Sequence, residues 1–197
     1  MVQPIEIDSR ALVIGIPAWV DEMVLATTGA LETDEARMEL VIRLAHRNVE
    51  EGGGPFAAVV FDGAGPIAAG VNRVLDSGFS IAHAEIVALM RSQQAARLAP
   101  ERAASPSALV TSTEPCCQCF GATVWSSVTS LICGATTADA EAIGFDEGPK
   151  PAGWPATLEK RGIAVRLGVL RDEAKTVLAE YARRGGPIYG LRHPTTP

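Results

Sequence analysis

The chain has 197 residues, a net charge of −6, 47 % hydrophobic and 20 % charged residues, and four cysteines. That length carries one domain with its own core, and the acidic balance argues against a polyanionic partner, so no nucleic acid is expected. No run reaches the roughly 20 apolar residues of a membrane span, and three of the cysteines crowd one short motif, the usage of metal ligands in a reducing cytoplasm rather than of a disulfide framework.

Residues 1–32 read as an N-terminal arm, irregular but anchored by Ile14, Ile16, Trp19, Val24 and Leu25. The apolar run 11–20 follows Glu6 and Asp8 and is interrupted by Pro17, which does not fit a signal peptide. Thr33 or Asp34 caps a helix reaching about Glu51, with Met38, Val41, Leu44, Ala45 and Val49 as its buried stripe. Gly52-Gly53-Gly54 stops it; no Lys-Ser/Thr follows, so this is not a phosphate loop. Residues 56–62 and 67–74 form a hairpin through Gly63-Ala64-Gly65. The loop 76–80 leads into a helix over 81–98 with Ile86, Leu89 and Met90 as its apolar stripe.

A short buried strand follows over 108–112, then a second motif-bearing helix, then a strand over 131–135 that buries Cys133 as a small hydrophobe. Next come an acidic loop over 139–147 and a Pro/Gly-rich linker over 148–155. A fifth strand over 163–170 and a closing helix over 172–184 complete the pattern. Strands alternating with helices after one hairpin predict a three-layer α/β/α sandwich on a mixed five-stranded sheet. The domain covers 33–187, and 188–197 is a tail. Arg183, Arg184, Arg192 and His193 read as a solvated helix end, and Trp125 and Phe79 as core or subunit packing.

Two stretches carry chemistry. Ala82-His83-Ala84-Glu85 opens the helix over 81–98, and Thr113-Glu114-Pro115-Cys116-Cys117-Gln118-Cys119 opens the next. Pro115 suits a first helical position. Cys116 and Cys119, three apart, then share one face, whereas Cys117 lies about 100° away. A helix N-terminus favours the thiolate that a metal requires. One imidazole and two thiolates form a three-ligand set that leaves zinc a fourth position for water, and no further protein ligand stands out by spacing. A Cys-x-x-Cys pair alone also suits a redox centre or a structural clip. Glu85 lies near the metal without being needed as a ligand, and the Ala84 amide is free to bond a substrate oxygen.

The pattern His-x-Glu…Pro-Cys-x-x-Cys is the signature of zinc-dependent nucleobase deaminases. Together with 52–59 (Gly-Gly-Gly-Pro-Phe-Ala-Ala-Val), Asn72 and 141–147 (Glu-Ala-Ile-Gly-Phe-Asp-Glu), its order resembles the bacterial guanine deaminases of the cytidine-deaminase fold. The resemblance runs from about Gly52 to Glu147. It implies one zinc per chain on His83, Cys116 and Cys119, and hydrolysis of guanine to xanthine and ammonia with Glu85 as proton shuttle. It further implies Glu147 as a second acid, Phe56 packed on the purine, Asn72 bonding its edge, and a cytoplasmic homodimer acting on a small nucleobase. The chain departs from the family in having Ala57 where Gly is usual and Cys117-Gln118 where Pro-Met is common. For the family's C-terminal aromatic, Tyr189 is the nearest candidate. The alternatives are ammeline, guanosine, cytosine or cytidine as substrate, a tRNA adenosine deaminase, or a non-catalytic zinc module. The last gives no reason for Glu85.

Overall fold

The computed structural model describes residues 12–27, 31–100 and 105–189. In chain order these form α1 (Ala18–Leu25), α2 (Asp34–Glu50), β1 (Ala57–Asp62), β2 (Gly65–Val71), α3 (Val74–Ser77), α4 (Ala84–Leu98), β3 (Ala108–Thr113), α5 (Cys117–Trp125), β4 (Ser130–Ala135), α6 (Thr137–Glu141), α7 (Trp154–Glu159), β5 (Ala164–Arg166) and α8 (Arg171–Arg183). β1 is buried at every position, so both of its faces must be covered. Ala57, Val59 and Phe61 enter one apolar cluster with α1, α2 and α8. Ala58 and Val60 enter another with α4, α5 and α7. The expected three layers follow from that alternation. Strand order is β2-β1-β3-β4-β5; β1 is antiparallel to both neighbours, and β3, β4 and β5 run parallel.

The α2 stripe is buried as its period requires, and Thr33 caps the helix by accepting the Ala36 N–H at 3.1 Å. The α4 stripe is not the one expected. Met90 is 55 % exposed, while Ala84, Val87, Ala88 and Leu89 face inward. The reason is close packing: a Cβ at Gly70 of β2 would strike the backbone of Ala84 and Ala88, so the alanine face nests on the sheet and the bulky face turns out. Met90 and Ile81 instead line an apolar groove of about 810 Å³ with Leu12, Ile14 and Ile16.

Other expectations need correction. The arm contains a helix, α1, which starts after Pro17 and buries Val20 completely. Its Asp21 accepts a two-pronged bond from Arg91 at 2.8 Å, and Arg91 also bonds the Ala69 carbonyl. The second strand starts at Gly65 and stops at Val71. The fifth strand shrinks to three residues because Gly168 and Leu170 take positive φ, which a ladder cannot accommodate. The acidic loop and the linker each contain a short helix, α6 and α7. Tail residues 190–197, including Arg192 and His193, lie outside the described residues.

Asp139 ties α6 to α8. Its N–H and carboxylate close a capping box with Thr136, and the carboxylate accepts Arg171 at 2.9 and 3.1 Å. The Arg171 bonds, against the opposing effect of burial, hold the Asp139 carboxyl well below the usual carboxylate range. Its folded pKa is thus lower than the unfolded value of about 3.9, so the stabilisation is complete above that pH and is lost as pH falls below it. Asp139→Ala is expected to cost about 1–2 kcal/mol near neutral pH and to remove part of the acid destabilisation. Denaturant unfolding near neutrality and at about pH 3 checks both; an unchanged acid limb would exclude the carboxyl's contribution.

Candidate active site

β3 delivers its motif at the C-terminal end of the parallel half of the sheet, the usual place for a site in an α/β fold. The Glu114 N–H still bonds the Ala135 carbonyl at 2.8 Å; Pro115, with no N–H to give, ends the ladder. Pro115 is not the first helical residue, as expected, but lies just before the cap. Cys116 is the extended N-cap, and its carbonyl accepts the Phe120 N–H at 2.8 Å. Cys116 and Cys119 still face one side, whereas Cys117 turns toward Gly148. His83 holds the equivalent cap of α4, its carbonyl accepting the Val87 N–H at 3.0 Å.

Two helix N-termini therefore meet at one point. His83 Nδ1 lies 3.4 Å from Cys116 Sγ and 3.6 Å from Cys119 Sγ, and the three donor atoms all lie within 4.8 Å of one another. A tetrahedral zinc with bonds of about 2.0 Å to nitrogen and 2.3 Å to sulfur would space those donors about 3.5 Å apart. The residues present fit the ion. Among the described residues no fourth His, Cys, Asp or Glu joins the cluster, so the donor set matches the open arrangement of a hydrolytic centre.

The electrostatics are those of a dry pocket. Burial pushes the Glu85 carboxyl up to about 7, with the Cys116 thiolate adding to the effect. The hydrogen bond from Cys119 holds Cys116 down to about 4 against burial, with help from His83. That same bond and burial push Cys119 up. Glu147, 6 % exposed, is pushed up to about 8 by burial and then by the charges of Cys116 and Glu85. The loop carboxyl thus comes within electrostatic reach of the three-donor cluster, and its backbone carbonyl accepts the Cys117 N–H at 2.8 Å.

The remaining predicted residues sit in turn, packing and helix-start positions. Asn72 is buried; its N–H bonds the Phe56 carbonyl at 3.0 Å and its Oδ1 accepts the Val74 N–H at 3.1 Å. It is thus a turn-former. Phe56 is half-buried, its ring edge-on to Phe145 at 4.9 Å. The Ala84 N–H, in the first turn of α4, has no acceptor among the described residues. Tyr189 lies over Gly54, leaving no room for a Cβ there. Its buried hydroxyl has no partner among the described residues, and its ring meets Phe145 edge-on at 5.0 Å. Trp125 is 84 % exposed and Phe79 borders the surface, so neither is core.

Sequence reasoning missed two contributors. Asn48, fully buried on the apolar stripe of α2, donates to the Gly54 and Asn72 carbonyls at 2.8 and 3.1 Å. A polar residue four positions after Leu44 on that stripe was the available signal. Lys150 reaches the Pro115 carbonyl at 2.7 Å, and nothing in its Pro/Gly-rich surroundings announced that contact.

A family model described as the cytidine and deoxycytidylate deaminase zinc-binding region matches residues 31–135. The chain belongs to this family. It is a zinc-dependent deaminase, and the fold is shared along nearly its whole length with solved relatives. A guanine deaminase from Nitrosomonas europaea is 45 % identical, with 90 % of this chain and 100 % of that one covered and a TM-score of 0.82. A mutant protein solved in complex with 8-azaguanine is 44 % identical, with 91 % and 99 % covered and a TM-score of 0.83. Guanine deaminase of Bacillus subtilis (strain 168) is 34 % identical over 114 residues, 57 % of this chain and 71 % of the relative.

The geometry separates ligands from neighbours. His83→Ala and Cys116→Ser are each expected to weaken zinc binding by more than the ~10–100-fold that loss of an outer supporting partner costs. Cys117→Ser should keep the metal. Metal analysis after dialysis against a chelator checks this; full zinc retention in Cys116→Ser would remove that thiol from the ligand set.

Proposed function

We propose that this deaminase hydrolyses free guanine at C2, consuming water and releasing xanthine and ammonia. The observation that carries the reading is Glu85, 7 % exposed and raised to about 7, beside a three-donor metal site with no fourth protein donor among the described residues. The guanine deaminases among its relatives, and the 8-azaguanine bound to one solved relative, support a purine base as substrate.

Zinc held by His83, Cys116 and Cys119 would lower the pKa of water toward about 7 and make a nucleophile available at neutral pH. Glu85 takes a proton from that water as its oxygen attacks C2, and returns it to the exocyclic nitrogen as the C–N bond breaks. A carboxyl near neutrality is suited to both transfers. Glu147 assists at the leaving amine. The Asn72 amide holds the base edge, the Ala84 N–H meets a substrate oxygen, and Phe56 lies against the ring. The substrate is a small nucleobase rather than nucleic acid, in keeping with the net charge of −6. The same reading makes the enzyme a homodimer of the cytoplasm; exposed Trp125, Ile81 and Met90 suit a subunit surface.

Ammonia release from guanine, guanosine, adenine, cytosine, cytidine, ammeline and an anticodon-arm RNA tests the substrate. Guanine should lead; release from the RNA alone would overturn the reading. Glu85→Gln is expected to keep zinc and lose at least ~100-fold in kcat; near-normal turnover in the zinc-loaded variant would exclude the shuttle. Asn72→Ala should raise KM for guanine by about tenfold, with a smaller change in kcat. Steady-state kinetics distinguish that from a general loss of activity.

A further inference from the structure

The segment between α6 and α7 has no ladder to hold it. It contains Gly144, Gly148, Pro149, Pro151 and Gly153, and its three glycines all take positive φ. Yet this segment places Glu147, one of the two acids of the site, so something must fix it. Before the carboxyl, the buried Phe145 ring anchors it against Phe56, Tyr181 and Tyr189; from Glu147 onward two contacts hold it. The Glu147 carbonyl accepts the Cys117 N–H at 2.8 Å, and three residues later the Lys150 ammonium donates to the Pro115 carbonyl at 2.7 Å and to Thr137 Oγ1 at 2.5 Å. The Thr137 hydroxyl in turn donates to Glu114 Oε2 at 2.8 Å, and the Trp154 ring lies 5.4 Å from the ammonium. A surface lysine is ordinarily satisfied by water. This one is half-buried, with partners from the β3–α5 loop, α6 and α7.

We propose that Lys150 is a positioning residue for the deamination: it clamps the 144–150 loop to the start of α5 and thereby sets where the Glu147 carboxyl meets the substrate. The proposal rests on the assignment of Glu147 to the active site made above. The near side of the loop has little slack, because a Cβ at Gly148 would come within 2.5 Å of the Cys117 sulfur. Further along, among the described residues, Lys150 is the side chain that ties the loop to the residue preceding Cys116. Loss of the ammonium frees that end while leaving His83, Cys116, Cys119 and Glu85 on their helix caps. A lysine that served only the fold would affect unfolding without affecting the step that needs Glu147.

A double-mutant cycle on the zinc-loaded enzyme decides between these roles. Lys150→Met is expected to keep zinc and lower kcat/KM for guanine by about tenfold or more. That loss should largely disappear when Glu147 is already alanine, because a clamp for an absent carboxyl has nothing to position. Losses that multiply in the double variant, with Glu147→Ala itself impaired, overturn the clamp and leave the Glu147 assignment standing. So does a Lys150→Met enzyme with normal kinetics. Glu147→Ala with wild-type kinetics overturns the assignment and the clamp together. Should Lys150→Met not fold, the same cycle with Thr137→Val, which removes one partner of the ammonium and keeps the side-chain shape, separates the two roles by the same outcomes.

Discussion

Everything in the site depends on two helix N-termini being brought to within a few ångströms of each other. The sheet does this with one backbone constraint. Gly70 in β2 allows the alanine face of α4 to lie against the strand, which sets the start of α4, and therefore His83, beside the end of β3. A larger residue at Gly70 would lift the helix and carry the imidazole nitrogen away from the sulfurs. Each N-terminus also brings unpaired amides and partial positive charge. The metal site is thus prepared electrically for thiolate, and for a polar substrate group, by backbone alone.

The loop that follows α2 is held by a different device. Asn48 projects from the core-facing side of α2 and uses its two amide hydrogens on the Gly54 and Asn72 carbonyls. A buried amide is costly unless it is bonded, so the core helps specify the loop. Gly53 and Gly54 leave space for that side chain and for Tyr189, neither of which tolerates a neighbouring Cβ. Glycines that read in the sequence as a helix stop also serve as clearance for the Asn48 and Tyr189 side chains.

What could be read from the sequence was whatever is encoded locally. The ligands were legible because zinc needs particular donors and because three residues along a helix start share a face. The α2 stripe was legible because its burial follows its period. The α4 stripe was not: alanines packed on a glycine carry the contact, and hydropathy gives weight to Ile86 and Met90 instead. Lys150 and Asn48 escaped for a related reason, since each has a partner far along the chain, 35 residues away for Lys150 and 24 for Asn48. Nothing in a lysine's immediate neighbours distinguishes a clamp from a solvated charge.

The two acids differ in how they are held, and that difference bears on how the chemistry is divided. Glu85 lies in the first turn of a helix whose start is fixed by the metal motif, so its distance from the ligands cannot drift. Glu147 is carried by a glycine-rich loop, anchored before it by the buried Phe145 ring and from it onward by one backbone bond and one ammonium. Both carboxyls are pushed toward neutrality by burial, and the Glu85 charge adds to the push on Glu147. In the proposed reaction carboxyls near neutrality are useful, because water must lose a proton and the departing amine must gain one. The rigid acid can then serve the invariant half of the reaction, the attack on carbon beside the metal. The loop-borne acid can be moved by a few substitutions to suit the shape of the base without disturbing the zinc ligands.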